Sequence, residues 1–404
     1  MVLSRTFAPL EFGIVAALNV FYLFVMTLSE GGLNPTIINL KKITSRERNG
    51  LFTFTFLFGC FCSLIFLASS EAISNFYSIE RIKEITPFFA VSVLMLFINS
   101  IPIAFLQKEK KFFNISVSLL IAEVSSSSIA ILLTNFIDPL QALASKIAIH
   151  STINFIVCFI FSSQTSFGQP RFGSDFSLLF KIFYDAKYQY AFSLTNFSSK
   201  NIDNVLVGKF LGVSSLSIYD RAYLLMKYPI QLITFALTPA IQPVITNIES
   251  KDDIKKLHDI FILRLSIIAA LAGLFCFVFS EQIVLGILGN QWNDVVPIFK
   301  ILTISLPLQI VYASHGGFFQ AMGKFRLMFI LSFLSFIFFM AAFIYGVYND
   351  SLILLCWGFN FAFLCAFMIT YTSMYSMLFN KGFAMFLLRV SPCILAFVMM
   401  TILI

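Results

Sequence analysis

The sequence predicts an all-α integral membrane protein of about 12 transmembrane helices in two pseudo-symmetric bundles. Three observations support this fold class: an apolar composition, recurring apolar segments and an alternating distribution of basic residues. Hydrophobic residues make up 59% of the 404 residues, charged residues only 12%, and the mean hydropathy is +0.90. Soluble globular domains carry about 25% charged residues, so the composition excludes that class.

Twelve apolar segments are long enough to cross a membrane, because a bilayer core about 30 Å thick needs about 20 residues of helix. They are predicted at residues 12–29, 51–68, 86–106, 114–135, 140–163, 183–207, 215–247, 258–280, 294–320, 326–347, 351–375 and 385–404. The connections between them are short, and none has room for a soluble domain.

Basic residues alternate between the two sides of the predicted membrane. Seventeen of the 27 Lys and Arg residues follow odd-numbered segments, whereas only Arg5, Arg81, Lys83 and Lys209 lie in the other connections and the N-terminal stub. Short basic connections stay in the cytoplasm during insertion, so residue 1 is predicted to lie outside. The net charge of +7 mostly reflects this bias. Membrane lipids are therefore expected partners, and nucleic acid is not.

Two stretches at a constant offset of 204 residues, 2–37 and 206–241, resemble each other. Each has an apolar pair, a cation (Arg5 or Lys209), an aromatic residue, a short turn and a long helix. The offset spans six helices, so the two copies share one orientation, which is typical of two parallel lobes. The second copy follows the predicted helix 183–207, and the first copy has no counterpart of it. We therefore expect the first helix of the N-terminal bundle to be missing.

The repeat divides the chain into four predicted parts. They are an incomplete N-terminal bundle of five helices at 1–165, a cytoplasmic linker at 166–182, a C-terminal bundle of six helices at 183–375 and an additional helix at 376–404.

Ionisable and amide residues inside the predicted spans define a candidate substrate cavity. Such residues are costly in hydrocarbon and usually face a bundle interior or an aqueous space. The predicted cavity residues are Asn196, Lys200, Asn201, Asp203, Lys146, His150, Arg221 and Lys227. Helical spacing places Lys200 with Asp203, and Lys146 with His150, on common faces. Cations outnumber acids, which favours an anionic substrate group such as pyrophosphate.

Other roles stay open for several of these residues. Glu123 and Asp203 are candidates for ion coupling, while Lys200 and Asp203 could instead form a structural pair. The charged end of Lys227 could extend to a membrane interface. His150 could equally be hydrogen-bonded to a neighbouring helix.

The sequence contains no pattern that indicates a metal, a cofactor or catalysis. All seven Cys residues lie in apolar segments and the three His residues are scattered, without metal-ligand spacing. The nucleotide-binding sequence G-x-x-x-x-G-K-[ST] does not occur, and no paired carboxylates suit glycosyl transfer. We therefore predict a transport protein that is not an enzyme.

Residues 199–247 contain Asn-x-Asp, a Gly–basic pair, Leu-Gly, Tyr-x-Arg-Ala-Tyr and a following Pro. The matching residues are Asn201, Asp203, Gly208, Lys209, Leu211, Gly212, Tyr219, Arg221, Ala222, Tyr223 and Pro229. This pattern resembles the central signature of the polysaccharide transporter family, the Wzx-type flippases of the multidrug/oligosaccharidyl-lipid/polysaccharide exporter superfamily. Segments 3–16, 101–112 and 289–307 are similar to further family segments. Leu224 stands where the family often has a second Arg.

The resemblance implies alternating access by two helical bundles in a bacterial inner membrane. The implied cargo is an undecaprenyl-pyrophosphate-linked oligosaccharide for O-antigen, capsule or exopolysaccharide synthesis. A polysaccharide polymerase and a chain-length regulator are the implied protein partners. Two alternatives remain at this point: a cation-coupled multidrug exporter of the same superfamily, which would favour an acidic cavity, and a membrane polymerase or glycosyltransferase, which would need catalytic carboxylates.

Overall fold

The computed structural model describes residues 2–30, 37, 43–179, 197, 201–246, 250–322, 324–379 and 383–404. Every regular element within these ranges is helical. Compactness divides the chain into an N-terminal unit, Val2–Ser217, and a C-terminal unit, Ile218–Ile404.

The described part of the N-terminal unit contains five helices that are long and apolar enough to span a membrane, together with two short helices. In chain order the seven are α1 (Val2–Thr6), α2 (Pro9–Glu30), α3 (Ser45–Ala68), α4 (Ser70–Tyr77), α5 (Ile82–Lys108), α6 (Phe112–Leu133) and α7 (Pro139–Ser162). The five long helices confirm the five spans predicted before residue 165. The short helix α4 lies in the predicted connection between the second and third spans. It was not predicted, because its eight residues are too few to show a clear helical period.

The remaining helices begin with one that crosses from the first unit into the second. They are α8 (Gly212–Thr246), α9 (Lys251–Val278), α10 (Ser280–Leu288), α11 (Val295–Thr303), α12 (Leu306–Tyr312), α13 (His315–Ala321), α14 (Phe325–Tyr348), α15 (Leu352–Ser373) and α16 (Ala384–Ile402). Two π-helical segments, Val207–Leu211 and Met374–Leu378, adjoin α8 and α15.

Eight helices among the described residues could span a membrane, or nine if one bent pair counts as a single span. The predicted span 215–247 coincides with the 35-residue helix α8, and 385–404 coincides with α16. The predicted span 183–207 falls mostly outside the described residues. The all-helical, multi-pass membrane class predicted from the sequence is confirmed.

The predicted span 294–320 is broken near its middle. Helix α11 and the following helical stretch, Leu306–Phe319, meet at 51°. Pro307 lies at this break, and its ring removes a backbone hydrogen-bond donor. Gly273 of α9 packs against that ring so closely that a Cβ there would lie 2.4 Å from Pro307 Cγ. The proline thus explains the bend, and the glycine allows the bent span to pack.

Both copies of the sequence repeat place a short helical segment before a long helix, and the two long helices are in contact. A Cβ at Gly13 of α2 would lie 3.1 Å from Ser217 Cβ of α8, and positions 13 and 217 are equivalent at the offset of 204. Ser217 also donates a hydrogen bond of 2.5 Å to the carbonyl of Pro9. Equivalent positions of the two copies therefore touch within the N-terminal unit.

The first part of the predicted linker 166–182 is bound to the N-terminal unit. Glu109, just after α5, accepts hydrogen bonds from the N–H and the hydroxyl of Ser166 at 2.5 and 2.6 Å. Burial acts to raise the pKa of the Glu109 carboxyl, but the Ser166 hydrogen bonds and the nearby Lys111 ammonium outweigh burial. The pKa of Glu109 is therefore lowered.

Residues 173–175 continue this attachment across α3. The N–H of Gly173 donates to Thr53 Oγ1 at 2.8 Å, and Gly50 packs so tightly on the backbone of Asp175 that a side chain at position 50 would collide with it.

The boundary between the two compact units lies inside α8, between Ser217 and Ile218. The domain bounds inferred from the repeat therefore stay a prediction.

Candidate functional site: a polar cavity in the N-terminal unit

A cavity of about 530 Å³ lies between α2, α5, α6 and α7. Its volume falls in the range of about 300–1,000 Å³ that is usual for small-molecule sites. Ten polar side chains contribute to its lining: Asn19, Tyr22, Asn99, Ser100, Gln107, Glu123, Lys146, His150, Ser151 and Asn154.

Helices α5 and α7 run in the same direction along this cavity. Arg81 lies 2.6 Å from Asp138 Oδ1 where they begin, and Lys111 donates to the Gln164 carbonyl where they end. Lys146, His150 and Asn154 of α7 are four residues apart and form one row, with steps of about 6 Å along the axis. Lys146 and His150 therefore lie nearer the Arg81 end of the cavity, and Asn154 lies nearer the Lys111 end.

One part of the cavity holds Glu123, Lys146 and His150, which we call the cavity cluster. Lys146 Nζ lies 2.7 Å from Glu123 Oε1, and His150 Nε2 lies 3.8 Å from Glu123 Oε2. The Glu123 side chain is 54% exposed, whereas Lys146 is 21% exposed. The carboxylate is therefore the more exposed partner of an ion pair that lines the polar cavity.

The part of the cavity nearer the Lys111 end is neutral and rich in amides. Asn154 Oδ1 accepts a hydrogen bond of 3.0 Å from Ser118 Oγ. Asn99 is 4% exposed, and its side-chain oxygen has no hydrogen-bond partner among the described residues. Gln107 is half-buried and makes no side-chain hydrogen bond to another described residue. Polar atoms in such positions are satisfied by water or by a ligand.

The structure brings together three residues that the sequence singled out: Glu123, Lys146 and His150. It pairs Glu123 directly with Lys146, while the suggested ion-coupling role of Glu123 stays a prediction. Lys200 and Asn196 lie outside the described residues.

Two further predicted residues lie in the N-terminal unit just before the π-helical segment. Asp203 is 6% exposed, and its Oδ1 accepts the N–H of Asn204 at 2.8 Å. Asn201 donates from its side-chain nitrogen to the carbonyl of Phe197 at 2.9 Å. Both contacts are local to their own helix.

Arg221 and Lys227 belong to the C-terminal unit. An Arg221 guanidinium nitrogen lies 3.4 Å from Asp220 Oδ2, and Lys227 Nζ lies 4.3 Å from the ring centroid of Tyr223. The second contact has the geometry of a cation–π interaction. That these residues line one cavity with Lys146 and His150 stays a prediction.

Sequence reasoning missed a buried charged group in the C-terminal unit, which we call the sealed cluster: Lys255, His258, Asp259 and Tyr375. Lys255 Nζ lies 2.5 Å from Asp259 Oδ2, and the Tyr375 hydroxyl donates to Asp259 Oδ1 at 2.6 Å. His258 Nδ1 lies 3.1 Å from the same hydroxyl. Lys255 was counted from the sequence as a cytoplasmic connection residue, but it lies inside α9 and is 7% exposed.

Membrane-length helices that surround a polar cavity define the class of a multi-pass membrane protein with a candidate ligand site. The sequence also matches a family model described as "Polysaccharide biosynthesis protein" over residues 2–297. Because this match covers more than half of the chain, the protein belongs to that family of polysaccharide biosynthesis proteins.

Two curated relatives carry related names. The chain is 22% identical over 305 residues to the teichuronic acid biosynthesis protein TuaB of Bacillus subtilis strain 168, covering 74% of this chain and 62% of TuaB. It is 22% identical over 332 residues to the lipopolysaccharide biosynthesis protein WzxC of Escherichia coli K12, covering 80% of this chain and 65% of WzxC. The chain thus spans somewhat less than two thirds of either relative.

Two solved structures show the same fold. The lipid II flippase MurJ, in an inward closed conformation, aligns with a TM-score of 0.75 at 12% identity, over 98% of this chain and 93% of MurJ. An inward-facing multidrug resistance transporter of the MATE family, in the MOP superfamily, aligns with a TM-score of 0.70 at 13% identity, over 91% of both chains. The predicted all-α membrane fold is therefore confirmed.

Proposed function

We propose that this protein is a flippase that moves lipid-linked oligosaccharide units across the bacterial inner membrane by alternating access. The cargo is an oligosaccharide on undecaprenyl pyrophosphate, for O-antigen, capsule or exopolysaccharide synthesis. The observation that carries the proposal is the Lys146–Glu123 ion pair in the lining of a polar cavity. The chain that contains it belongs to the polysaccharide biosynthesis family.

The geometry suggests how an anionic head group would bind. Lys146 has one carboxylate partner, and that partner is more than half exposed. A pyrophosphate carries more negative charge than Glu123, and its oxygens can accept the same charge-assisted hydrogen bonds. The head group would thus replace Glu123 at Lys146, while Glu123 turns into the aqueous cavity or towards His150.

The multidrug exporter remains the second candidate, because a MATE transporter shares the fold. The cavity argues against it. Among the described residues its lining contains one acid, Glu123, which already faces Lys146 and His150. A cationic drug would find no surplus negative charge there. Under the first proposal the translocated unit then passes to a polysaccharide polymerase and a chain-length regulator outside the membrane.

Complementation of a flippase-deficient strain tests the proposal. We expect Lys146→Ala to abolish surface polysaccharide and to let lipid-linked units accumulate on the cytoplasmic side, with a normal protein level. Lys146→Arg should retain part of the activity, because it keeps the charge. Lys256→Ala is the matched control, since this lysine is 75% exposed and pairs only with Asp253 on its own helix. Normal polysaccharide in the Lys146→Ala strain would contradict the proposal.

A further inference from the structure

We infer that the amide-rich part of the N-terminal cavity is a saccharide subsite. It binds the sugar next to the pyrophosphate and discriminates among sugars at that position. The subsite consists of Asn99, Gln107 and Asn154. The inference rests on the proposed function, since it assumes a sugar diphosphate whose phosphates bind at Lys146.

The first argument is chemical. An amide side chain offers a donor and an acceptor, which suits hydroxyl groups that are themselves both donors and acceptors. The three amides lie on two neighbouring helices, α5 and α7, so they face the space from two sides. A neutral ligand that carries many hydroxyl or N-acetyl groups matches this lining better than a charged or an apolar one.

The second argument concerns unused hydrogen-bonding capacity. The Asn99 side-chain oxygen is buried and accepts no hydrogen bond from a described residue. Asn154 uses its oxygen for Ser118, and its side-chain nitrogen donates to no other described residue. A buried polar group without a partner is costly. The subsite therefore gains most from a ligand that supplies both a donor, for Asn99, and an acceptor, for Asn154.

The third argument is position. Lys146 and Asn154 are separated by two steps of four residues on α7, or about 12 Å along the axis. A diphosphate and the sugar attached to it can span this distance. Because α5 and α7 are parallel, Asn99 and Gln107 lie towards the same end of the cavity as Asn154. Phosphate binding at Lys146 therefore leaves the attached sugar beside the amides.

Burial holds the Asn99 side chain in place, since the residue is only 4% exposed. A polar group that is held in place discriminates more strongly than a mobile one, because a ligand that lacks the matching group leaves it unpaired. Asn99 is therefore the residue that we expect to control sugar selectivity, with Gln107 as a more adaptable contact.

Binding measurements on the purified full chain test the subsite. The probes are geranyl pyrophosphate and a set of geranyl pyrophosphates that each carry one hexose or N-acetylhexosamine. We expect at least one sugar to raise the affinity above that of bare geranyl pyrophosphate. Gln107→Leu and Asn99→Leu should each reduce this gain about three- to tenfold, which corresponds to the loss of one neutral hydrogen bond. Asn349→Leu, an exposed amide that bonds only to the Tyr345 carbonyl, should keep the full gain.

The outcomes separate the inference from the function on which it rests. If no sugar raises the affinity although bare geranyl pyrophosphate binds, the saccharide subsite is wrong and the flippase proposal stands. An unchanged sugar gain in both the Gln107→Leu and Asn99→Leu proteins also overturns the subsite. Gln107 is half-exposed, so its variant remains informative if Asn99→Leu fails to fold. If the wild-type protein binds none of the probes, the proposed function itself fails.

Discussion

The cavity cluster and the sealed cluster contain the same kinds of residue in different surroundings. Each combines a lysine, a carboxylate and a histidine that belong to membrane-length helices. In the cavity cluster the Glu123 side chain is 54% exposed and meets Lys146 through one oxygen. In the sealed cluster Asp259 and Lys255 are each 7% exposed, and His258 is fully buried. Residue type alone therefore does not separate a ligand site from a structural one.

Burial explains the difference, because Glu123 has as many polar neighbours as Asp259: Lys146, Ser127 and His150. Each Asp259 oxygen is already engaged, one by Lys255 and the other by the Tyr375 hydroxyl, and aromatic rings that include Phe318 and Phe379 surround His258. A ligand would have to displace several buried contacts at once. The contacts of Glu123 are more exposed. The cavity cluster is suited to exchange partners, and the sealed cluster is suited to hold α9 against the π-helical segment Met374–Leu378 that follows α15.

The largest expected effect on stability comes from Asp259→Asn. This change leaves the Lys255 ammonium buried without its carboxylate, which typically costs about 3–5 kcal/mol. Denaturant or thermal unfolding of the detergent-solubilised protein would measure the loss. Lys256→Ala, on the exposed side of the same helix, should change the free energy of unfolding by less than about 0.5 kcal/mol. Equal stabilities of the two variants would show that the sealed cluster has no structural role.

Tyr375→Phe should have an intermediate effect. The variant loses the hydroxyl that donates to Asp259 and contacts His258, and a hydrogen bond to a charged group contributes about 1.5–3 kcal/mol. Tyr348 provides the control because it is 87% exposed, so Tyr348→Phe should leave the unfolding midpoint unchanged. A Tyr375→Phe protein as stable as the Tyr348→Phe protein would argue against the assigned hydrogen bonds.

Glu123→Gln should have the smallest effect on stability. A solvated ion pair contributes about 0–1 kcal/mol, and the amide can still face Lys146. The unfolding midpoint should therefore stay close to that of the wild-type protein. A loss comparable to that of Asp259→Asn would mean that the cavity cluster is structural, and the contrast between the two clusters would disappear.

The sequence predicted those features that depend on local period and charge. Apolar runs located the long helices, and the i, i+4 spacing of Lys146 and His150 placed both on one helical face. The Lys146–Glu123 pair was not predicted, because its partners lie on different helices and spacing along the chain does not show which helices are adjacent.

The amide subsite and the sealed cluster were missed for separate reasons. Asn99 and Gln107 are single amides in a helix that is otherwise apolar, so they produce no periodic signal. Lys255 is close to a basic connection, and charge counting assigned it to that connection. Only packing shows that it points inward to Asp259. Burial, which separates the two clusters, is a property of tertiary structure.

The central claim is that Lys146 exchanges Glu123 for an anionic substrate group. Equilibrium binding of geranyl pyrophosphate to purified wild-type, Lys146→Ala and Glu123→Gln proteins tests it most directly. The account predicts weaker binding to Lys146→Ala, by about ten- to a hundredfold for a lost charge-assisted hydrogen bond. It also predicts tighter binding to Glu123→Gln, because the competing carboxylate is gone. Equal affinities of the three proteins, with unchanged unfolding midpoints, would contradict it.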